Sequence, residues 1–102
     1  MNNIKYVCNA FSLQMVAPGY YNLEVRQMTQ DEFEFIKDQV PSAVGHPDTA
    51  VVLGVECNRV NVSLHYGDAI VVAQLMGGRL PEGATTLPKG FTFSYFMITV
   101  KP

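Results

Sequence analysis

The sequence predicts a small α/β domain, a mixed β-sheet of about five strands flanked by helices, with an α+β arrangement of the same elements as its alternative. Three observations carry this expectation. Short runs rich in β-branched and aromatic residues recur along the chain: IKYVC, RVNVSLH, AIVVAQLM and FTFSYFMITV. Between them, TQDEFEFIKDQV spaces its apolar residues for a helix behind a capping pair. At 102 residues the chain suits one domain, 1–102.

IKYVC predicts a central strand over 4–8 that ends at Asn9. FSLQM then leaves the strand as a turn or a single helical turn, and YYNLEVRQM alternates as a second strand behind the punctuation APGY. Thr29 and Glu32 form a Ser/Thr-x-x-Glu capping box, each satisfying a backbone donor in the other's turn. Phe33, Ile36 and Val40 recur at i, i+3 and i+7 as one apolar stripe, and Pro41 ends that helix. HPDTAVVLGVEC predicts a second, shorter helix, because Pro47 suits the first helical position and Asp48 complements the dipole, although AVVLGV alone also reads as a strand.

RVNVSLH alternates with period two, and predicts a strand with Val60, Val62 and Leu64 on one face. After the turn YGD, AIVVAQLM is nearly continuous in apolar residues, the pattern of a strand buried on both faces. GGRLPEGATTLPKG carries glycines and prolines throughout and predicts a loop over 77–90, long enough for a lid. FTFSYFMITV closes the domain. The predicted order is β-β-α-α-β-β-β.

Composition excludes several functions. Seven basic against nine acidic residues give a net charge of −2, with no Lys/Arg cluster. A protein that wraps duplex nucleic acid needs a basic face, so no duplex partner is expected. No apolar run reaches membrane-spanning length and MNNIKYV lacks signal-peptide architecture, so no membrane association and a cytoplasmic location are expected. Cys8 and Cys57 lack metal-ligand spacing and read as reduced core thiols. His65 is the only histidine besides His46, and no HxH, HxxxH or phosphate-loop pattern occurs, so neither a metal nor a cofactor is implied. A hydrophobic content of 48% is rich for a monomer of this size and points to a buried oligomer face.

The candidate chemistry centres on SAVGHPDTA. A lone histidine is more often structural than catalytic, yet His46 stands between a glycine and a helix-starting proline. Gly45 permits positive φ or a close approach, and the first-turn amides of the following helix offer an anion site. An imidazole there can donate a proton to a phosphate ester oxygen, since its usual pKa lies near working pH. Arg59 begins the strand RVNVSLH; it is either a solvated terminal charge or a planar fork aimed at phosphate. Arg79 and Glu82 are either an i, i+3 surface pair or a cation and a carboxylate delivered by a mobile loop. Asn9 and Ser12 follow the first strand, where ligand contacts gather in sheets with parallel strands, although such residues are also ordinary turn formers.

Taken together, NAFS, SAVGHPDTA, NRVNVSL and RLPEGATTL, in this order, resemble the signature segments of the viral anti-CRISPR ring nucleases, which also have bacterial relatives. The resemblance runs from Asn9 to the last strand. It implies a homodimer that binds cyclic tetra-adenylate, the messenger of type III CRISPR defence, and destroys it. It implies that His46 and Glu82 are catalytic, that Arg59 and Arg79 bind the substrate, Arg59 through phosphate, and that Arg79 and Glu82 occupy the lid. Asn9, Ser12 and Gly45 would contact ligand, as would Gln14, which stands where a relative carries asparagine. The implied reaction needs no metal: a ribose 2′-hydroxyl attacks its own 3′-phosphate, leaving a 2′,3′-cyclic phosphate. Two rivals remain, a sponge that sequesters the ring without cutting it and a small regulatory or scaffold dimer.

Overall fold

The computed structural model describes residues 3–102. In chain order the elements are β1 (Asn3–Cys8), a 3₁₀ turn (Leu13–Met15), β2 (Asn22–Met28), α1 (Gln30–Ile36), α2 (Pro47–Leu53), β3 (Asp68–Met76) and β4 (Thr92–Lys101). The strands form one sheet in the order β1-β3-β4-β2. β1 is parallel to β3, and the β3–β4 and β2–β4 pairs are antiparallel. Three strands therefore share one direction and β4 opposes them, giving a mixed sheet in a single α+β domain.

β3 is the organising strand. Residues 68–73 are buried without interruption, as the apolar run predicts for a strand covered on both faces. Its alternate side chains feed two cores. Ala69, Val71 and Ala73 join Val7, Phe33, Val44, Ala50 and Leu53 under the helices. Ile70 and Val72 join Cys8, Val16, Leu64, Ile98 and Val100 on the opposite face, which the 3₁₀ turn and the 60–64 segment cover.

Among the described residues the sheet has four strands where the sequence pattern predicts five. The missing one is 59–65, of which only Leu64 makes a ladder contact, an isolated bridge to Val16. Its period-two alternation has a different cause: Val62 and Leu64 pack on the second core while the segment runs past the 3₁₀ turn. No sheet edge is open to it at β1. There Val7 donates its N–H to Pro41 O at 3.0 Å and accepts from Ala43 N–H at 2.8 Å. β1 is thus an edge strand of the sheet, not a central one, with its free edge covered by the stretch leading to His46.

α1 begins as the sequence predicts. Thr29 Oγ1 accepts from Glu32 N–H at 3.2 Å and Glu32 Oε1 from Thr29 N–H at 3.0 Å. The Thr29 amide and the Arg26 guanidinium hold the Glu32 carboxyl below its usual range. The helix ends at Ile36, short of the predicted Val40. Lys37 leaves it to donate through Nζ to Leu53 O at 3.0 Å, tying α1 to the end of α2. Ile36 and Val40 still pack against the helix-side core. Both cysteines are free thiols, but only Cys8 is a core residue; Cys57 is exposed. Burial pushes the Cys8 thiol up to about 11, which keeps it protonated and unreactive.

The 77–90 segment has no helix or strand, as predicted. Its two ends are pinched together. Gly77 has φ +109° and a Cβ there would stand 2.8 Å from Gly90 O. Only glycine fits that combination of left-handed backbone and close approach.

Candidate functional site

The 41–43 stretch runs parallel to β1 on its outer edge, so the chain continues past Val44 in the direction of β1 and β3. Gly45 and His46 consequently emerge beyond the carboxyl end of the sheet. Asn9 lies there too, just after β1, and the 77–90 loop leaves from the same end of β3. This is where open sheets with parallel strands gather polar groups.

Ser42 holds the connecting segments together. Its Oγ donates to Glu56 O at 2.6 Å and accepts from Val44 N–H at 3.1 Å, while Asn58 Nδ2 donates to Ser42 O at 3.0 Å. That clamp delivers Arg59 to Gly45, whose carbonyl oxygen accepts from Arg59 Nε at 3.1 Å. Gly45 is required by this approach, since a Cβ would stand 2.9 Å from Arg59 Cγ. Of the two roles open to Gly45 in sequence, the close approach is the one used; its φ is not positive. Arg59 sits on an extended connection instead of a strand start.

His46 is exposed and is the N-cap of α2. Its Nδ1 accepts from Thr49 N–H at 3.3 Å and lies 3.1 Å from Thr49 Oγ1. This corrects in part the expectation of free helix-start amides, since the Thr49 N–H is taken. Pro47 has no N–H, the Thr49 N–H is directed at the imidazole, and Ala50 N–H donates to His46 O. α2 is also only seven residues long, so its dipole is modest. Positive charge at this surface must come chiefly from side chains.

Asp48 Oδ2 accepts from Gly83 N–H at 3.1 Å. This contact draws the loop onto the first turn of α2 and places Glu82 next to the residue bonded there. Arg79 and Glu82 are both exposed and, among the described residues, form no ion pair with each other. Ser12 caps the 3₁₀ turn, its Oγ accepting from Gln14 N–H at 3.2 Å. Ser12 and Gln14 line a cavity of about 270 Å³ with Met15, Val60, Asn61 and Val62, and so abut the segment that follows Arg59.

The structure therefore joins Arg59 directly to Gly45, the residue before His46, brings in the Glu82 backbone through Asp48, and sets Ser12 and Gln14 beside residues 60–62. Among the described residues, no hydrogen bond or ion pair links Asn9 or Arg79 to His46. Thr49 and Asp48 are the residues sequence reasoning missed. The i, i+3 spacing of His46 and Thr49 repeats that of Thr29 and Glu32 and was a usable signal; nothing local announced the Asp48–Gly83 contact. A mostly apolar cleft of about 220 Å³, lined by residues including Tyr21, Leu64, Tyr66 and Val100, opens at the other end of the sheet. No helix among the described residues is long and apolar enough to cross a membrane.

These features define a small mixed-sheet α+β protein with its polar constellation beyond the carboxyl ends of co-directional strands. Within that class the chain belongs to the STIV B116-like family, which matches residues 5–92. Its fold is similar to that of B116 of Sulfolobus turreted icosahedral virus, a viral protein. The two share 20% identity at a TM-score of 0.77, over 94% of this chain and 98% of that one. No curated protein sequence matches the chain.

Proposed function

We propose that the protein is a metal-independent ring nuclease, which binds cyclic tetra-adenylate across a homodimer and cuts it into linear di-adenylates ending in 2′,3′-cyclic phosphate. In a cell with type III CRISPR defence this would remove the messenger and suppress immunity. The observation that carries the reading is the convergence of His46, Arg59 and the Glu82 turn on the rim of α2, held by the Gly45 and Asp48 contacts. The resemblance of the four segments to ring nucleases adds the substrate. The apolar cleft at the far end of the sheet offers little to a tetra-anion.

The chemistry starts from a 2′-hydroxyl in line with its own 3′-phosphate. Its oxygen attacks phosphorus and its proton goes to solvent, while the bond to the 5′-oxygen breaks with its electron pair on that oxygen. His46, as imidazolium, gives the Nε2 proton to the leaving oxygen. Arg59 and Arg79 stabilise charge on the phosphoryl oxygens, and Glu82 orients His46 or the ribose. Positioning supplies much of the acceleration. His46 stands on the open surface of a protomer, and a two-fold partner would wall the site and match the rotational symmetry of the ring.

The test is incubation with cyclic tetra-adenylate in excess EDTA. Di-adenylate carrying a cyclic phosphate is the expected product, and a ring left intact after prolonged incubation removes the proposal. Tight binding without turnover would identify a sponge, a reading favoured by the engagement of the imidazole as a helix cap.

Gly45→Ala probes the arginine. The added methyl meets Arg59 Cγ at 2.9 Å and displaces the guanidinium. Losing one charge-assisted contact to phosphate should weaken ring binding about tenfold, read by calorimetric titration. Unchanged affinity would show that Arg59 is not a phosphate ligand.

A further inference from the structure

His46 as a general acid must pass through two protonation states, and its Nδ1 has two neighbours that respond to them differently. The Thr49 amide can only donate. It suits the neutral ring, in which Nδ1 carries a lone pair, and opposes a ring protonated at Nδ1. The Thr49 hydroxyl, 3.1 Å from Nδ1, can donate or accept by turning its proton. Thr49 is itself 8% exposed, and among the described residues His46 is the one hydrogen-bond partner of its hydroxyl. A side chain buried this far is held in place, and its hydroxyl is spent on the imidazole alone.

We infer that Thr49 is the positioning residue of the reaction, its hydroxyl holding the His46 ring in one orientation through both protonation states. The inference rests on the ring-nuclease reading. In the resting protein the neutral ring accepts at Nδ1 and carries its proton on Nε2, the nitrogen left free of Thr49. When the ring takes up a second proton at Nδ1, the Thr49 hydroxyl turns and accepts it. When the Nε2 proton passes to the 5′-oxygen, the remaining proton stays at Nδ1 on that hydroxyl, and exchange with solvent restores the starting tautomer. Valine at this position keeps the shape and the backbone cap but removes the acceptor.

The experiment compares wild type, Thr49→Val, Thr49→Ser and His46→Ala with cyclic tetra-adenylate in EDTA, alongside thermal melts. Thr49→Val should lower kcat about tenfold to hundredfold with KM within about twofold, and Thr49→Ser should restore most of the rate. Thr49→Val cleaving at the wild-type rate, with His46→Ala inactive, overturns the inference and leaves the nuclease reading standing. Wild-type protein that leaves the ring intact removes both. Thr49→Ala serves the same comparison if the valine variant does not fold. Long-range ¹H–¹⁵N spectra of the ligand-free wild type supply a readout independent of activity. The neutral His46 ring should be the Nε2–H tautomer, and an Nδ1–H tautomer would overturn the inference.

Discussion

Replacing His46 by alanine should slow ring cleavage by about 10²–10⁴ while leaving affinity for cyclic tetra-adenylate largely intact, the range expected when a positioned proton donor is deleted. The side chain is exposed and packs into no core, so its loss opens no cavity. It does cap α2 through Thr49, and a lost N-cap costs about 1 kcal/mol. A slow alanine variant could therefore reflect a frayed helix. His46→Asn separates the two effects. Asparagine is among the best N-cap residues and can take over the Thr49 amide, yet it has no proton to give at neutral pH. It should restore the melting temperature and leave cleavage as slow as in the alanine variant, measured in single-turnover assays. An asparagine variant that recovers the wild-type rate would mean that the imidazole serves only to shape the helix start.

The parts of this site that were readable in the sequence are those whose causes are local. The Thr29–Glu32 box and the Pro47 start depend on residues within one turn, and both helices begin where those signals stand. The unbroken apolar run of β3 reports burial on both faces, and the structure buries it so. The 59–65 segment failed because alternation reports which side chains face a core, not whether a neighbouring backbone is free to pair. With the β1 edge already covered by 41–43, Val62 and Leu64 could satisfy their pattern without a ladder. The site itself is assembled by contacts across 14 residues (Arg59 to Gly45) and 35 residues (Gly83 to Asp48), a range at which no periodicity or cap carries information. The order of polar motifs along the chain could point to these residues; it could not say that the Thr49 amide was already directed at the imidazole.

Phe33→Ala should cost about 3–5 kcal/mol of folding stability, the range for truncating a fully buried aromatic residue. Phe33 is 0% exposed and its ring stacks on Tyr95 of β4 with centroids 4.6 Å apart. It is the buried residue of α1, so the contact that fastens this helix to the sheet goes with it. A domain of this size has a total stability of only about 5–15 kcal/mol, so the variant should be partly unfolded near physiological temperature. Urea titration would measure the loss, and a change under about 1 kcal/mol would mean that the helix repacks around the gap. The two substitutions differ in what they take with them. On the proposed function, His46→Asn should remove the reaction from an intact fold. Phe33→Ala loosens α1, and through the Lys37–Leu53 contact it reaches α2, on whose rim His46, Asp48 and the Glu82 turn depend. Its loss of activity should therefore follow the unfolded fraction as urea rises, whereas the histidine variant should show its full slowing in a protein that still melts cooperatively.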